Sequence, residues 1–351
     1  MINDKHLITS SSSINDALLR LDVLAQDAIL FVVDSDNKLI GSLTDGDVRR
    51  GLIKGISIDN IITEIVQPNP KFILKSNYDF KEILKFRDKN YKVFPVIDDD
   101  GKIITIINFR LLKAYLPIDV VVMAGGKGTR LRPLTNDTPK PLLKVGDKTI
   151  MEHNIDRLIA FGVDDFWFSI NYLGDQIVDS FGNGKDKDKD RNISIEYVWE
   201  DEPKGTIGAV SKINNFRHKH ILVTNSDILT NLDYEDFYLY FLEKDADFAV
   251  LTIPYNVSIP YAVLEISDDQ VLDFKEKPTY TYYSNGGIYL MKRDILNFIP
   301  KGKHFNTTDL MEKLIEENKK VVSYPLAGYW LDIGKKEDLI KARKEINNIK
   351  F

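Results

Sequence analysis

Short apolar runs alternate with amphipathic segments along much of the chain. Residues 119–123 and 166–170 are rich in apolar side chains, as in strands that are buried on both faces of a parallel sheet, and residues 220–227 form a third apolar run that ends in a carboxylate. Residues 150–161 instead carry apolar side chains at helical spacing and end at Gly162, a residue typical of the position just beyond a helix. Strands and helices alternating on this scale predict an α/β domain with a mostly parallel, mixed sheet.

The first third of the chain contains an internal repeat. Residues 31–40 align with residues 95–104 at a constant offset of 64 (95 minus 31), and Ser12 falls on Ser76 at the same offset. We expect each copy to contain a helix, a strand, an acidic turn, a strand and a second helix, and the two copies to bury together the faces that neither could bury alone. The repeat resembles a tandem pair of CBS (cystathionine β-synthase type) modules.

One copy of the repeat carries a candidate ligand site. Residues 41–47 match the signature through which CBS modules hold a ribosyl nucleotide, so the resemblance implies Thr44 and Asp47 as ligand residues and a regulatory nucleotide as a partner. In the second copy Asn108 and Leu111 take their places, and one ligand site is therefore expected rather than two. A purely structural alternative is equally compatible with the sequence, because Asp45 and Asp47 could simply cap the helix that begins near Val48.

Length and composition limit the classes of function. A chain of 351 residues predicts two domains, 1–116 for the CBS pair and 117–351 for the second domain, with Pro117 ending the last helix of the first. The net charge of −6 argues against a nucleic-acid partner. The absence of cysteine excludes disulfides and cysteine-bound zinc, and no apolar run has the length of a signal peptide or a membrane span, so we expect a cytoplasmic protein without a membrane partner.

The first apolar run of the second domain ends abruptly in glycine. Gly125, Gly126 and Gly128 lack Cβ atoms where the chain leaves the strand, so backbone N–H groups can approach a phosphate closely. Arg130 and Lys140 bring positive charge to the same segment. A glycine-rich turn alone would also fit a tight connection, and this one matches neither a P-loop nor a dinucleotide fingerprint. The added charge favours a polyphosphate-binding loop.

The residues around this loop strengthen that interpretation. Gly126-x-Gly-Thr-Arg130, followed by Pro133-Leu-Thr135 and Pro139-Lys-Pro-Leu142, resembles the signature of the sugar-1-phosphate nucleotidyltransferases, which make nucleotide sugars. The resemblance covers about residues 118–345 and implies a Rossmann-like domain in which Arg130 and Lys140 are catalytic and hold the triphosphate. It also implies NTP binding by the residues of the loop, Ala124, Gly125, Gly126, Gly128 and Thr129.

A second glycine segment, residues 200–209, resembles the part of that family's site that faces the nucleobase. The resemblance implies that Gly205 and Thr206 bring main-chain groups to the base and that a helix begins at Ile207.

Two aspartates are candidates for metal binding. Asp227 ends the third apolar run and would lie at the carboxyl edge of the sheet, where ligands bind in open α/β folds, although alone it could equally cap a turn. Asp332 lies in a Trp-x-Asp-Ile-Gly segment that resembles the family's second metal carboxylate. Two carboxylates together with phosphate oxygens suit Mg²⁺. His218 and His220 lack a recognisable third ligand, so we expect no metal site there.

Two short segments in the last third complete the resemblance. Lys277 matches the lysine that contacts the sugar phosphate, Glu276 matches the carboxylate that faces the sugar hydroxyls, and Asn285 and Gly287 match the wall on the sugar side. Taken singly, Glu276 and Lys277 would fit an exposed strand end. Ala262 stands where the family usually has glycine, and this departure bears on the identity and orientation of the sugar.

These features predict the reaction of an NTP with a sugar 1-phosphate to give a nucleotide sugar and pyrophosphate. In-line attack on the α-phosphorus needs mainly alignment and neutralisation of charge, which fits a site of glycines, cations and carboxylates. The combination with a CBS pair looks most like guanylyltransferases of bacterial surface-glycan pathways. It implies GTP, a mannose-like or glucosamine-like 1-phosphate, Mg²⁺ and a homo-oligomer.

Other readings remain open at this point. The chain could be a catalytically inactive, nucleotide-sensing binding protein, although the intact set of charged residues argues against that. The substrates could instead be glucose 1-phosphate with dTTP, UTP or CTP. A nucleotide-dependent glycosyltransferase of related fold would carry an Asp-x-Asp pair, which residues 225–227 do not supply.

Overall fold

The computed structural model describes residues 4–186 and 191–349. The chain divides into two compact units. The first ends at Pro117 and also includes Ala160–Gly162, and the second contains the rest of the chain.

The first unit contains two small sheets with helices beside them. Its sheets have the strand orders β1-β2-β3-β4 and β5-β6-β7. Its elements, in chain order, are β1 (Leu7–Thr9), α1 (Ile14–Leu24), β2 (Ile29–Val33), β3 (Leu39–Thr44), α2 (Asp45–Ile53), β4 (Gln67–Pro68), β5 (Ile73–Leu74), α3 (Phe80–Asp88), β6 (Val93–Ile97) and β7 (Ile103–Asn108).

The repeat is present in the backbone of the first unit. Both bounds of β2 and of β3 return, 64 residues later (93 minus 29 and 103 minus 39), as those of β6 and β7. The turn between the strands also recurs, because the Lys38 N–H donates to Asp34 Oδ1 over 2.9 Å and the Lys102 N–H donates to Asp98 Oδ1 over 2.8 Å. The predicted pair of α/β modules is therefore confirmed.

The two copies bury apolar side chains against each other. One cluster of buried residues joins Phe31 and Val33 of the first copy to Val93, Ile97 and Ile103 of the second. Burial of apolar surface stabilises such a cluster by roughly 25 cal/mol for each Å². The copies therefore depend on each other for part of their core.

The second copy departs from the prediction at its end, where no second helix forms. Residues 109–117 contain a turn in which the N–H groups of Leu111 and Leu112 donate to the Asn108 carbonyl over 2.9 and 3.0 Å. The N–H groups of Lys113 and Leu116 instead donate to the carbonyls of Ala160 and Phe161 over 2.7 and 3.2 Å, and Pro117 cannot continue a helix.

The second unit is built around a seven-stranded sheet of order β14-β11-β8-β15-β20-β17-β21. The strands of the whole unit are β8 (Ile118–Met123), β9 (Lys144–Val145), β10 (Lys148–Thr149), β11 (Asp165–Ile170), β12 (Lys185–Asp186), β13 (Arg191–Asn192), β14 (Ser194–Trp199), β15 (His220–Asn225), β16 (Ile228–Thr230), β17 (Phe248–Ser258), β18 (Val263–Ser267), β19 (Gln270–Lys275), β20 (Thr279–Lys292), β21 (Val321–Pro325) and β22 (Trp330–Asp332).

The helices of this unit are α4 (Ile150–Ala160), α5 (Gly174–Phe181), α6 (Tyr234–Glu243), α7 (Thr307–Glu316) and α8 (Lys336–Glu345). In the parts of the chain that the structure describes, no helix combines the length and the apolar character that crossing a membrane requires.

The large sheet is mixed and mostly parallel, as predicted. Strands β14, β11, β8 and β15 run parallel to one another, and β17 runs parallel to β21. Strand β20 lies between these two groups and runs antiparallel to both β15 and β17. Val120, Val121 and Val122 in the central strand β8 are fully buried, as expected for a strand covered on both faces. The carboxyl ends of β8, β11 and β15 consequently meet at one edge of the sheet.

The helix expected from Ile207 is a short 3-10 helix, Gly208–Lys212. The N–H groups of Ile207 and Gly208 both donate to the Phe305 carbonyl, over 3.2 and 3.1 Å. These bonds tie the start of the segment to a neighbouring loop, so a regular α-helix does not begin there.

An exposed arm extends from the sheet. Residues 253–258 of β17 pair with residues 279–284 of β20 beyond the point where β17 leaves β21, and β18 and β19 form a separate hairpin between them. Most side chains of this arm are exposed.

The first unit yields a prediction about Asp47. Asp47 is 4% exposed, accepts hydrogen bonds from the backbone and the hydroxyl of Thr44 over 2.9 and 2.6 Å, and pairs with Arg50 at the start of α2. Thr44 is the N-cap of α2 and Asp47 completes its capping box, an arrangement whose loss costs about 0.5–2 kcal/mol. We therefore expect Asp47→Ala to lower the unfolding free energy of the first unit by that amount, measured by urea unfolding and by faster amide exchange in α2.

Asp45→Ala is the matched control, because Asp45 also lies in the first turn of α2 but is exposed. Equal losses of stability in the two variants would contradict a specific role of Asp47 as the cap.

Candidate active site

Asp227 and Asp332 are brought together by a two-stranded ladder. Strands β16 and β22 pair antiparallel, with Ile228 opposite Asp332. The N–H of Ile333 also donates to the Asp227 carbonyl over 3.0 Å. Two carboxylates that are far apart in the sequence therefore meet just beyond the carboxyl end of β15.

Lys140 lies between these two carboxylates. Its ammonium group forms an ion pair with Asp227 and lies 3.9 Å from Asp332 Oδ1, and the residue is 8% exposed. Lys140 begins the 3-10 helix Lys140–Leu142, which Pro141 stiffens. The predicted cation and the two predicted metal ligands thus form one cluster.

Arg130 adds a second cation to this cluster. Its guanidinium lies against Gly334, where an added Cβ would be 3.3 Å from Nη1. Burial and the charge of Asp227 raise the pKa of Asp332, whereas the charges of Lys140 and Arg130 oppose that rise. Removal of either cation would therefore leave the two carboxylates less able to share one site.

The carboxylate pair retains unused acceptors. Asp227 Oδ1 and Asp332 Oδ1 are both inaccessible to solvent and have no hydrogen-bond partner within residues 4–186 and 191–349. Buried polar atoms in native proteins are rarely unsatisfied unless an ion or water completes them. Two neighbouring carboxylate oxygens of this kind fit the oxygen-rich, partly hydrated coordination of Mg²⁺.

The glycine loop passes over the ends of β8 and β11. The N–H of Ala124 donates to the Ser169 carbonyl over 2.8 Å. A Cβ on Gly125 would lie 2.9 Å from Glu200 Oε1, whereas one on Gly126 would meet nothing within 4 Å. Gly125 is therefore required by packing within the protein, and Gly126 borders open space in which a ligand has room.

The next part of the loop is fixed to the segment that carries Lys140. The hydroxyl of Thr135 donates to the Gly128 carbonyl over 2.8 Å, and a Cβ on Gly128 would lie 3.1 Å from Lys140 Cβ. Thr129 begins the 3-10 helix that carries Arg130. The loop and its two cations therefore form one connected unit.

The second glycine segment contacts the start of α7. Gly205 has a φ of +78°, and a Cβ there would lie 2.5 Å from the Phe305 carbonyl oxygen. The hydroxyl of Thr206 accepts a hydrogen bond from the Thr307 N–H over 2.9 Å, and the Thr206 N–H donates to Asn306 Oδ1 over 3.3 Å. The backbone N–H and the hydroxyl of Thr206, which was predicted to face a base, are thus already hydrogen-bonded at the start of α7.

Glu200 links the two glycine segments and was not among the predicted site residues. It is 6% exposed and accepts hydrogen bonds from the Ser169 hydroxyl over 2.6 Å and from the Lys204 N–H over 2.8 Å. Its carboxylate also lies against Gly125. The sequence offers only a weak signal for Glu200, namely a carboxylate placed directly after an apolar strand.

Asn285 and Gly287 lie beside the strands that lead to the carboxylates. A Cβ on Gly287 would be 2.7 Å from Asn225 Nδ2, and the N–H of Gly287 donates to Asn285 Oδ1 over 2.9 Å. The indole N–H of Trp330, two residues before Asp332, donates to the carbonyl of Gly286 over 2.9 Å. The two residues predicted for the sugar side therefore border the same cluster.

Glu276 and Lys277 are placed differently. Both are exposed in the turn between β19 and β20, and Lys277 has a φ of +43°. Neither side chain forms an ion pair or a hydrogen bond with any residue that the structure describes. They lie on the exposed arm, and their role at the sugar stays a prediction.

Comparison with known proteins identifies the family of the second unit. The sequence model of the family described as nucleotidyl transferase matches residues 119–349. The chain belongs to the nucleotidyl transferase family. The nucleotidyl transferase region is preceded by a match to the CBS domain over residues 1–54.

Individual relatives of this nucleotidyl transferase are similar over the same region. The mannose-1-phosphate guanyltransferase of Schizosaccharomyces pombe is 28% identical over 228 residues, which are 63% of this chain and 62% of the relative. The mannose-1-phosphate guanylyltransferase of Mycobacterium tuberculosis is 30% identical over 237 residues, which are 65% of this chain and 64% of the relative. The chain thus spans just under two thirds of the length of these relatives.

A solved structure is similar as well. HddC from Yersinia pseudotuberculosis, crystallised in complex with GMP-PN, superimposes with a TM-score of 0.50 at 28% identity. The superposition covers 65% of this chain and 99% of HddC.

The two adjacent glycines generate a prediction about stability. In Gly125→Ala the new methyl group would meet the buried Glu200 carboxylate, and overpacking of this kind costs about 1–3 kcal/mol. We expect a lower melting temperature for this variant by circular dichroism. Gly126→Ala is the matched control and should melt like the wild type, because nothing lies within 4 Å and its φ is not in the left-handed region. A melting temperature of Gly125→Ala equal to that of Gly126→Ala would contradict the packing argument.

Proposed function

We propose that the protein transfers a nucleotidyl group from an NTP to a sugar 1-phosphate, releasing pyrophosphate. The observation that carries this proposal is the cluster in which Lys140 lies between Asp227 and Asp332, with Arg130 alongside, at the end of a glycine loop. Membership of the nucleotidyl transferase family supports the same reaction class.

The proposed reaction needs no covalent intermediate. An oxygen of the sugar phosphate attacks the α-phosphorus, a P–O bond forms, and the bond to the leaving pyrophosphate breaks. The open space beside Gly126 admits the phosphates, and Ala124, Gly125, Gly128 and Thr129 offer backbone groups around them. Arg130 and Lys140 neutralise the triphosphate and align it. We assign Gly205 and Thr206 to the part of the site that faces the nucleobase.

Asp227 and Asp332 are the residues that would hold Mg²⁺. Their unpartnered oxygens support this assignment. A bound Mg²⁺ supplies neutralisation of phosphate charge. In its absence Lys140 offsets part of the repulsion between the two carboxylates.

On the sugar side we assign Asn285 and Gly287 to the wall, Glu276 to the sugar hydroxyls and Lys277 as the catalytic residue that contacts the sugar phosphate. Asn285 and Gly287 border the cluster. The assignment of Glu276 and Lys277 rests on their motif, and it requires the arm that carries them to approach the sugar.

For the substrates, we favour GTP and a mannose-like or glucosamine-like 1-phosphate, with a role in surface-glycan synthesis. This choice is supported by the two relatives named as mannose-1-phosphate guanyltransferases and by the GMP-PN bound to HddC. Glucose 1-phosphate with dTTP, UTP or CTP is the alternative pair of substrates.

We also propose that the first unit binds a regulatory nucleotide through Thr44 and Asp47. A cavity of about 250 Å³ is lined by Asp47, Arg50 and Lys54, and the positive charges of Arg50 and Lys54 would suit a phosphate. Calorimetry of nucleotide binding to the variants Asp47→Ala and Asp45→Ala tests this role. We expect Asp47→Ala alone to lose nucleotide binding. An unchanged nucleotide affinity of Asp47→Ala would contradict the ligand role and leave only the capping role of Asp47.

The reaction is tested by a matrix of substrates. Purified protein is incubated with Mg²⁺, each of GTP, dTTP, UTP and CTP, and a panel of hexose 1-phosphates, and pyrophosphate release is followed. We expect release with GTP and a mannose-like or glucosamine-like 1-phosphate. Asp227→Asn should lower kcat at least about 100-fold because a metal ligand is lost.

Two further variants sharpen the result. Gly126→Ala should fold normally but lose activity, since its methyl group would occupy the open space beside the phosphates. Lys140→Met should be far less active than Lys148→Met, in which a surface ion pair with Asp156 is lost instead. The absence of pyrophosphate with every substrate pair, while nucleotide still binds, would instead support the inactive nucleotide-sensing protein.

A homo-oligomer is the last part of the proposal. The arm exposes ten large apolar side chains, and contiguous exposed apolar surface is typical of interaction sites. We expect light scattering after size exclusion to give a mass of at least twice 40.2 kDa. We also expect Phe274→Lys and Tyr282→Lys together to shift that mass towards the monomer. A monomeric wild-type protein at micromolar concentration would contradict this part.

A further inference from the structure

A buried group of possible metal ligands lies at the opposite edge of the large sheet from the candidate active site. Asp119 is near the start of β8, Asp165 begins β11, and His218 comes two residues before β15. Their exposures are 0%, 2% and 7%. One ligand atom from each lies within 4.8 Å of the other two.

The spacing of these atoms suits a small cation. Asp165 Oδ2 lies 3.3 Å from His218 Nε2. In a tetrahedral zinc site, with metal–ligand distances of about 2.0–2.2 Å, neighbouring ligand atoms are roughly 3.3–3.6 Å apart. The pair is therefore already at the separation that a shared ion would impose.

Asp119 supplies an observation of a different kind. Its Oδ1 is inaccessible to solvent and has no hydrogen-bond partner in the described parts of the chain. An orphaned acceptor on a fully buried carboxylate is costly, and a bound ion is one of the few ways to satisfy it.

The second carboxylate oxygens of Asp119 and Asp165 have polar partners, as the outer oxygens of metal-binding carboxylates usually do. Asp119 Oδ2 accepts a hydrogen bond from the backbone N–H of His218 over 2.8 Å, and Asp165 Oδ1 forms an ion pair with Arg217. Arg217 is itself held by Glu196 Oε1 at 3.2 Å. Contacts of this type fix the orientation of ligating carboxylates.

The charges of the group point the same way. The group gathers two carboxylates in a buried place, and like charges gathered there are costly unless a cation offsets them. A divalent cation would remove that cost. The alternative is a protonated His218 between the carboxylates with no ion bound.

We propose that Asp119, Asp165 and His218 form a structural site for a divalent cation of the zinc class, separate from the proposed site for Mg²⁺. The mixture of one imidazole nitrogen and two carboxylate oxygens favours Zn²⁺ over Mg²⁺. Three protein ligands leave a fourth position for water. Because all three residues are buried, the ion binds during folding and joins the amino ends of three neighbouring strands.

The test separates this site from the active site. The full chain carrying Asp227→Asn and Asp332→Asn is produced with zinc in the medium, dialysed without chelator, and its metal content is measured by mass spectrometry. We expect about one zinc per chain, although this variant is inactive. Replacement by Co²⁺ should give the visible absorption of a tetrahedral site, and removal of the metal should lower the melting temperature.

Asp119→Asn, added to the same chain, should reduce the zinc content to near zero. Glu196→Gln is the control, because it disturbs Arg217 without removing a ligand and should keep the zinc. Retention of zinc in Asp119→Asn, or a protein without zinc and without cobalt absorption before that change is made, would overturn the proposal and favour the protonated imidazole. If Asp119→Asn does not fold, the zinc and cobalt measurements on the parent chain decide.

Discussion

Electrostatic repulsion between Asp227 and Asp332 is the constraint on which the candidate site depends. Two carboxylates gathered in a partly buried place repel each other, and burial raises the pKa of Asp332 further. The β16–β22 ladder holds them together, and Lys140 and Arg130 supply the opposing charge. The fold therefore holds two carboxylates and two cations close together at the carboxyl edge of the large sheet.

Glycine is what brings the backbone to this charge. The loop after β8 can cross the ends of β8 and β11 because Gly125 leaves room for Glu200, and the same loop opens towards solvent at Gly126. The two neighbouring glycines thus differ in their surroundings, because Gly125 packs against the protein and Gly126 borders open space. A conventional description of the loop as uniformly flexible would miss this division of roles.

Much of the architecture could be predicted from the sequence. The apolar runs located β8, β11 and β15, and the constant offset of the repeat located the strands of the first unit, because both signals are local or periodic. The failures came from contacts between segments that are distant in the sequence. At the end of the second copy Lys113 and Leu116 are bound to Ala160 and Phe161, and the segment after Ile207 is bound to Phe305, contacts that no local sequence pattern reveals. Glu200, Asn306 and Thr307 acquired their positions from tertiary contacts for the same reason.

The ladder between β16 and β22 has a consequence for biosynthesis. During translation Asp227 leaves the ribosome roughly a hundred residues before Asp332, so a nascent chain holds the first carboxylate without its partner or the strand that positions it. Contacts of such large sequence separation form late in folding, because the intervening chain must first lose its conformational freedom. A partly synthesised chain would thus lack a competent site even with its central strands already paired.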